Sequence, residues 1–354
     1  LASFLRRKQG IAPMEACDCL QGTREELPNP IHDGVDVVIT AISGTPAEYI
    51  NSYFVFFLCG AFILSYFIVR RFMATVAWGP LLALVAAISI ALSSFNVMHV
   101  LTGHYSHSLV LLLAWAGALA SLLMAPSWPR ALVVGVVHGA SALYNPYYGY
   151  FSGLIYAAIV AYYVLYRRTE AGRIALHLVV SIILALAVLA VAYGEHLQTL
   201  MGVHDQVVES RFNRSPAALG GVMPYMYFLP SPLHWLAPSV YSEWFSRAIV
   251  ITNVPESAVY LGIVNLVLYS SGLLLLWKGR FNPQEVFWFR LTLWGAIVTF
   301  ALSLPPFIPV GDGERVYWVT YYLHQLLPMF RMYDRMGVMV SLFVTAGSVI
   351  ALHY

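Results

Sequence analysis

Residues 72–129 read FMATVAWGPLLALVAAISIALSSFNVMHVLTGHYSHSLVLLLAWAGALASLLMAPSWP and contain no Asp, Glu, Lys or Arg. The surface of a water-soluble domain needs charged side chains, whereas a charged side chain in hydrocarbon costs several kcal/mol. The chain as a whole is 60% hydrophobic and 10% charged, so this stretch is not a local exception. The sequence therefore predicts a polytopic membrane protein of the all-α class.

Charge-free apolar runs recur along the chain and set the expected number of membrane crossings. About 20 apolar residues span the bilayer core as a helix, so the longest runs must fold back. The pattern predicts nine transmembrane helices, six within 53–194 and three within 257–354. Their intervals are 53–72, 76–95, 107–125, 131–144, 150–166, 174–194, 257–277, 287–304 and 336–354. The chain lacks an initiator Met and its last run is still apolar at Tyr354, so we expect a segment of a longer protein.

Lys and Arg are concentrated around alternate loops of this arrangement. These loops hold nine cations and two acids, while the others hold ten and fifteen, which together make all 19 Lys and Arg and all 17 Asp and Glu. The nine cations are Arg70, Arg71, Arg130, Arg167, Arg168, Arg173, Lys278, Arg280 and Arg290. Because short loops rich in Lys and Arg stay in the cytoplasm, we expect the remaining, larger loops outside it.

The predicted outer segments are the places with room for chemistry. They comprise an acidic segment at 1–52, a short loop at 96–106, a loop at 195–256 and a loop at 305–335. The 195–256 loop is about 60 residues long, and loops of that length are seldom mere connections. Since it is dense in Pro and aromatic residues, we expect it to form a cap over the outer face.

The acidic segment supplies the first candidate site. Residues 32–36 read HDGVD, which predicts that His32, Asp33 and Asp36 share one flexible turn. Such groups hold a hard divalent cation or act as a base, although a solvated acidic loop would show the same pattern. Asp18 lies in the same segment within a C-x-C pair, whose own disulfide would be strained.

Two further groups lie at predicted outer ends of spans. The sequence GHYSH at 103–107 places His104 and His107 beside a span, where imidazole binds phosphate or metal or shuttles a proton. The sequence YNPYYGY at 144–150 is expected to break the helix and either to line a cavity or to lie buried in protein, with Tyr147 and Tyr148 available to stack on a sugar or lipid headgroup. The alternatives are an interfacial anchor for the histidines and an aromatic belt for the tyrosines.

Arg331 and Arg335 precede the last predicted span on one helical face. Cations on the outer side run against the general bias, and Arg suits a phosphate or pyrophosphate group. Pairing with Asp334 or another nearby acid is the alternative. A net charge of +2 that follows membrane topology argues against nucleic-acid binding. The chain contains no P-loop, G-x-S-x-G or dinucleotide fingerprint.

Taken in order, several of these motifs resemble one family. They are Gly103-His104, the break at 144–150, Pro255-Glu256 before Tyr260-Leu261-Gly262, and Leu327-Pro328-Met329-Phe330-Arg331 followed by Arg335. Over most of 50–354 the pattern is similar to the bacterial YfhO-type membrane proteins, within the GT-C superfamily of polyprenyl-phosphate-dependent glycosyltransferases.

The resemblance implies a helical bundle in the plasma (inner) membrane of a prokaryote, with its active site on the extracytoplasmic side. The donor would be a polyprenyl-phosphate sugar lipid, and the acceptor a glycan, lipid or protein of the cell envelope. The implied catalytic residues are Asp18, Asp33, Asp36 and His104, and the implied substrate-binding residues are Arg331, Arg335, Tyr147, Tyr148 and His107. Cofactor use stays open, with Mg²⁺ or Mn²⁺ compatible. The family's acid follows a span that this chain lacks, so a base before residue 1 is a further alternative.

Two other functions fit the same composition. One is a non-catalytic membrane subunit that packs against other membrane subunits. The other is a lipid or solute transporter, although transporters usually place charged residues within spans near the midplane. In every case the chain would contact membrane lipids.

Overall fold

The computed structural model describes residues 30–74, 77–93, 96–97, 109–194, 261–304, 307–310, 314–326 and 336–353. These residues form eleven helices and one two-stranded hairpin. The helices are α1 Pro30–Ile42, α2 Pro46–Phe72, α3 Gly79–Ala91, α4 Val110–Met124, α5 Trp128–Tyr144, α6 Pro146–Tyr166, α7 Arg168–Tyr193, α8 Ile263–Trp277, α9 Pro283–Ser303, α10 Val319–Leu326 and α11 Gly337–His353. The strands are β1 Phe307–Val310 and β2 Glu314–Tyr317.

Within the described residues, each of the nine predicted membrane intervals overlaps one helix, α2 to α9 or α11. Four of these helices are long and apolar enough to cross a membrane by length and composition: Asn51–Phe72 within α2, and α6, α7 and α9. The apolar helices α3, α4, α8 and α11 have 13 to 17 residues, and are shorter than a typical bilayer core of about 30 Å. The structure thus has the composition of a helical membrane protein with four candidate spans.

Proline and capping side chains define where many helices begin. Proline lacks a backbone N–H and has a fixed φ, which suits the first turn of a helix. At α2, the Thr45 hydroxyl accepts from the Glu48 backbone N–H at 3.2 Å, and the Glu48 carboxylate accepts from the Thr45 N–H at 3.2 Å. Asn282 and Glu285 form the same reciprocal cap at α9. The prolines in first turns are Pro30, Pro46, Pro80, Pro129, Pro146 and Pro283.

Along the chain, the helices of the bundle run alternately up and down. Trp294 Nε1 in α9 donates to the Ala158 carbonyl of α6 at 2.8 Å, and the Tyr162 hydroxyl of α6 donates to the Phe287 carbonyl of α9 at 3.2 Å. Residue numbers therefore rise along one helix as they fall along the other. The contacts of α4 with α5 and of α9 with α11 show that these pairs are also antiparallel. Three other pairs are parallel: α2 with α4, α5 with α7, and α8 with α11.

One end of the bundle carries the clustered cations, and we call it the basic end. There the Arg167 guanidinium lies 3.9 Å from the Phe287 ring centre, and His353 Nδ1 lies 3.0 Å from the Glu285 carboxylate. Arg290 lies about two turns inside α9. The basic end contains Arg70, Arg71, Arg130, Arg167, Arg168, Arg173, Lys278 and Arg280. Four aromatic residues there are 51–82% exposed, as is typical of a membrane–water interface: Trp78, Trp128, Tyr166 and Trp277.

Aromatic side chains fill the centre of the bundle. Half of α6 and half of α9 is buried, against 22% of the α2 window and 28% of the α7 window. The α6 helix alone buries Tyr148, Phe151, Tyr156, Tyr162 and Tyr163. Along the middle of α2 and α7 many exposed positions are themselves large and apolar, among them Phe67 and Ile183. The α2 and α7 helices thus expose apolar side chains on the side away from the core, as contact with lipid requires.

Small residues bring α5 and α7 into close contact. A Cβ atom on Gly135 would lie 2.8 Å from the Ser181 carbonyl oxygen, and one on Gly139 would lie 2.7 Å from Val188 Cβ. The Ser181 hydroxyl also donates to the Ala131 carbonyl at 2.9 Å. Small residues four apart let membrane helices approach at the backbone. The two glycines therefore set the distance between α5 and α7.

The hairpin lies in the predicted outer loop 305–335 and is a small addition to an otherwise helical structure, which agrees with the all-α prediction. Its strands pair antiparallel, with Phe307 opposite Tyr317. Directly after β2, Trp318 Nε1 donates to the Ala301 carbonyl at 2.6 Å, and the Thr320 hydroxyl donates to the Leu304 carbonyl at 3.1 Å. These bonds attach the hairpin to the end of α9 that lies away from the basic end.

Candidate functional site

The acidic sequence at 32–36 is helical, so the predicted flexible turn is wrong. It forms the first half of α1, and Asp33 lies in the first turn of that helix. Asp36, Ile39, Thr40 and Ser43 are buried. Their spacing of three and four residues places them on one face. Tertiary packing of that face favours the helix over the predicted turn.

Of the three predicted catalytic Asp residues, Asp36 is the one whose side chain the structure describes. The side chain is fully buried, and its Oδ1 accepts a hydrogen bond from the Tyr53 hydroxyl at 2.8 Å. Tyr53, near the start of α2, packs in an apolar cluster with Ile39, Phe57 and Tyr144. The α1 helix therefore lies across the ends of α2 and α5, away from the basic end. The hydrogen bond from Tyr53 orients the carboxylate within this cluster.

The predicted helix break at 144–150 is confirmed. The α5 and α6 helices meet at Asn145 alone. Its side chain accepts from the Tyr147 backbone N–H at 3.0 Å and its carbonyl accepts from the Tyr148 N–H at 3.0 Å. The Tyr147 and Tyr148 side chains are 3% and 0% exposed, which argues against the aromatic-belt alternative. Stacking of these rings on a substrate stays a prediction.

Contacts just inside the bundle make this junction rigid. A Cβ atom on Gly149 would collide with Ala142, so α5 and α6 approach closely there. His138 Nε2 lies 2.9 Å from the Gly149 carbonyl oxygen. Since a carbonyl only accepts, His138 donates through Nε2. The start of α6 is therefore held to α5 by both packing and a hydrogen bond.

A cavity of about 350 Å³ lies between α3, α8 and α11, towards the same end as α1. The last turn of α3, the first turns of α8 and α11, and Leu109 form its walls. Asn265 Nδ2 donates to the Thr345 hydroxyl at 3.3 Å and so joins two of these helices. The polar side chains of the lining are Ser89, Ser93, Asn265, Ser341 and Thr345. A few polar groups in an apolar wall are typical of ligand pockets.

The cavity and the Asp36 cluster both contact the start of α4. Leu109 lines the cavity, while Val110, the next residue, packs against the cluster of Ile39 and Tyr53. Two adjacent residues at the start of α4 therefore contact the cavity and the cluster of Ile39 and Tyr53, so the cavity and this cluster lie at the same end of the bundle. The arrangement combines a proton acceptor with groups that hydrogen-bond sugar hydroxyls.

Sequence reasoning did not single out the polar residues of the cavity. Ser341 and Thr345 lie four apart on α11, and Ser89 and Ser93 lie four apart at the end of α3. This spacing of small polar residues on one helical face was the available signal. It is weak, because hydroxyl side chains in membrane helices often bond only to their own backbone.

The remaining predicted site residues lie outside what the structure describes. They are Asp18, His104, His107, Arg331 and Arg335, together with the side chain of Asp33. Among the described residues, no three His, Cys, Asp or Glu side chains form a group able to hold a metal ion. Use of Mg²⁺ or Mn²⁺ stays open, because most of the acidic segment falls outside those residues. No protein-family model, curated protein or solved structure matches the chain.

Proposed function

We propose that this chain is an integral membrane glycosyltransferase. It moves a sugar from a polyprenyl-phosphate-linked donor to a hydroxyl group of an extracytoplasmic acceptor. The observation that carries this proposal is the buried Asp36 carboxylate, bonded to Tyr53, at the same end of the bundle as a cavity lined by hydroxyl and amide groups. The resemblance of the sequence to GT-C glycosyltransferases supports the same reaction class.

The proposal includes a membrane topology. All nine helices from α2 to α9 and α11 cross the membrane, and the basic end faces the cytoplasm, as the distribution of Lys and Arg favours. The α1 helix, the hairpin and the cavity then lie on the extracytoplasmic side of the plasma membrane of a prokaryote. Lipid-linked sugars would reach the cavity from the outer leaflet.

In the proposed reaction the acceptor oxygen attacks the anomeric carbon of the donor sugar. A new carbon–oxygen bond forms while the bond from the anomeric carbon to the phosphate oxygen breaks, and the lipid phosphate leaves with the electron pair. Asp36 takes the proton of the acceptor hydroxyl, and Tyr53 keeps the carboxylate oriented. Arg331 and Arg335 are the proposed partners of the departing phosphate, whose negative charge rises as the bond breaks.

The cavity is the proposed position of the donor sugar. Ser341, Thr345 and Asn265 offer donors and acceptors that match sugar hydroxyls. The apolar part of its wall suits the first isoprene units of the lipid. The loop at 195–256 would cover the site and exclude water, which otherwise hydrolyses the donor.

The test replaces Asp36 by Asn, which keeps the shape of the side chain but removes the carboxylate. We expect sugar transfer to fall about 100- to 10,000-fold, the usual contribution of a general base, with normal amounts of protein in the membrane. Tyr53→Phe should lower transfer less, because it leaves the carboxylate in place. Glu170→Gln at the basic end is the matched control. Wild-type activity in Asp36→Asn would exclude Asp36 as the base.

Lipids that co-purify with the protein in mild detergent test the donor class. Mass spectrometry should detect a polyprenyl phosphate or phosphosugar. If stable protein subunits co-purify instead, without such a lipid, the non-catalytic membrane subunit becomes the better explanation.

A further inference from the structure

Two guanidinium groups at the basic end have neutral partners. Both contact the turn at 125–127, which joins α4 to α5. Arg130 donates to the Ala125 carbonyl, and Arg173 Nη2 donates to the Pro126 carbonyl at 2.8 Å. Within the described part of the chain neither forms an ion pair, whereas Arg167 pairs with Glu170 at 3.2 Å. Because a carbonyl group carries no net charge, the residues that the structure describes leave these two positive charges uncompensated beside this turn.

A groove of about 530 Å³ adjoins the same turn. The His177 ring stacks on Trp128 with ring centres 4.4 Å apart, and its Nδ1 donates to the Arg173 carbonyl at 2.7 Å. Arg173 and the Ser127 side chain also line the groove, and Leu176 provides an apolar wall. The groove therefore combines a cation and a hydroxyl group with aromatic and aliphatic surface.

We propose that this groove binds the headgroup of an anionic phospholipid in the leaflet at the basic end. Arg173 and Ser127, which line the groove, would donate hydrogen bonds to the phosphate, and Arg130 would add a second positive charge beside the same turn. Trp128 and Leu176 would contact the glycerol and the upper acyl chain. Basic pockets between helices at the cytoplasmic surface are typical sites for anionic headgroups.

The surroundings favour a lipid over a free phosphate ion. Trp128 is 51% exposed and belongs to the aromatic residues at the basic end. Beyond Leu176 the surface of α7 continues along the bundle with exposed Val179 and Ile183. A lipid places its phosphate beside Arg173 and its acyl chains along this apolar face, whereas a free ion would use only the cations. The groove lies at the opposite end from the proposed transfer site, so this proposal shares the proposed membrane topology but does not depend on the transfer reaction.

The experiment measures lipid binding to the purified full chain by native mass spectrometry, with phosphatidylglycerol and phosphatidylcholine as probes. The test variant is Arg130→Gln with Arg173→Gln. The control, Arg71→Gln with Arg280→Gln, removes the same charge from exposed positions at the same end. We expect the affinity for phosphatidylglycerol to fall about 30-fold in the test variant. Each Arg near a membrane surface contributes about 1 kcal/mol to the binding of an anionic lipid, and the variant removes two. An equal fall in the control, or none in the test variant, would overturn the proposal.

Two further measurements separate binding from folding and lipid from free phosphate. Phosphatidylglycerol should raise the melting temperature of the wild type and of the Arg130→Lys, Arg173→Lys variant, which keeps the charge, but not of the glutamine variant. Equal stabilisation of all three would contradict the site. Soluble glycerol phosphate should leave the bound lipid in place. If it displaces the lipid at comparable concentration, the groove is a free-phosphate site and the lipid proposal is wrong.

Discussion

Replacement of Gly135 or Gly139 by alanine tests the close contact of α5 with α7. A methyl group at Gly135 would lie 2.8 Å from the Ser181 carbonyl oxygen and 2.9 Å from Leu184 Cβ. At Gly139 it would lie 2.7 Å from Val188 Cβ. These obstacles are backbone or Cβ atoms, which cannot rotate away, so the two helices must separate.

The expected change in the free energy of unfolding is the difference between two opposing contributions. Overpacking a well-packed contact costs about 1–3 kcal/mol, while alanine in place of glycine within a helix returns about 1 kcal/mol. Because the obstacle at Ser181 is a backbone atom, we expect the overpacking cost to lie in the upper half of its range. The expected net loss in the free energy of unfolding is about 1–2 kcal/mol for each variant, as the difference of these terms. Separation would also lengthen the hydrogen bond from Ser181 to the Ala131 carbonyl.

The assay is the free energy of unfolding in bicelles, measured by steric trapping with wild type and variants in parallel. Gly153→Ala in α6 is the matched control, because nothing lies within 4 Å of its added Cβ. That variant should be unchanged or more stable by up to about 1 kcal/mol, the helix-propensity gain alone. If Gly135→Ala and Gly139→Ala behave like Gly153→Ala, α5 and α7 do not approach as the structure has them.

Two further predictions concern polar groups that join helices. Asn145→Ala should destabilise the protein by about 1 kcal/mol, since it removes the cap of α6, while Ser127→Ala should have little effect because Ser127 makes no capping bond at α5. Asn265→Ala should cost about 0.6–1.7 kcal/mol, the range for hydrogen bonds between membrane helices, because it breaks the bond to Thr345. Ser271→Ala should be neutral, since Ser271 bonds only within α8. Thermal unfolding in detergent measures all four, and equal shifts for each variant and its control would contradict these assignments.

The class of the protein and several helix boundaries could be predicted from local sequence. The run 72–129 without charge excludes a solvated surface, and the structure has helices at each apolar interval. The break before Pro146 was also predictable, because proline ends a helix whatever surrounds it. The start of α6 four residues before the predicted 150 reflects the cap by Asn145, whose effect appears only once the helix ends are placed.

Other local interpretations failed because packing decides them. The sequence at 32–36 was predicted to form a turn, but burial of Asp36 and Ile39 against α2 and α5 makes it helical. The hairpin has strands of four residues with Pro309 in one of them, so its local signal is slight. Its attachment to α9 through Trp318 is a tertiary contact that periodicity does not show.

The sequence by itself determined the apolar surroundings expected for this protein, its helical class and the unequal distribution of charge along its loops. These properties follow from the transfer of single side chains between water and hydrocarbon, which composition and spacing record directly. Tertiary structure alone decided that Asp36 meets Tyr53, that α3, α8 and α11 enclose a cavity, and that Arg130 and Arg173 meet one turn. Each of these sites joins residues from separate helices, and their meeting depends on how the helices pack rather than on any local pattern.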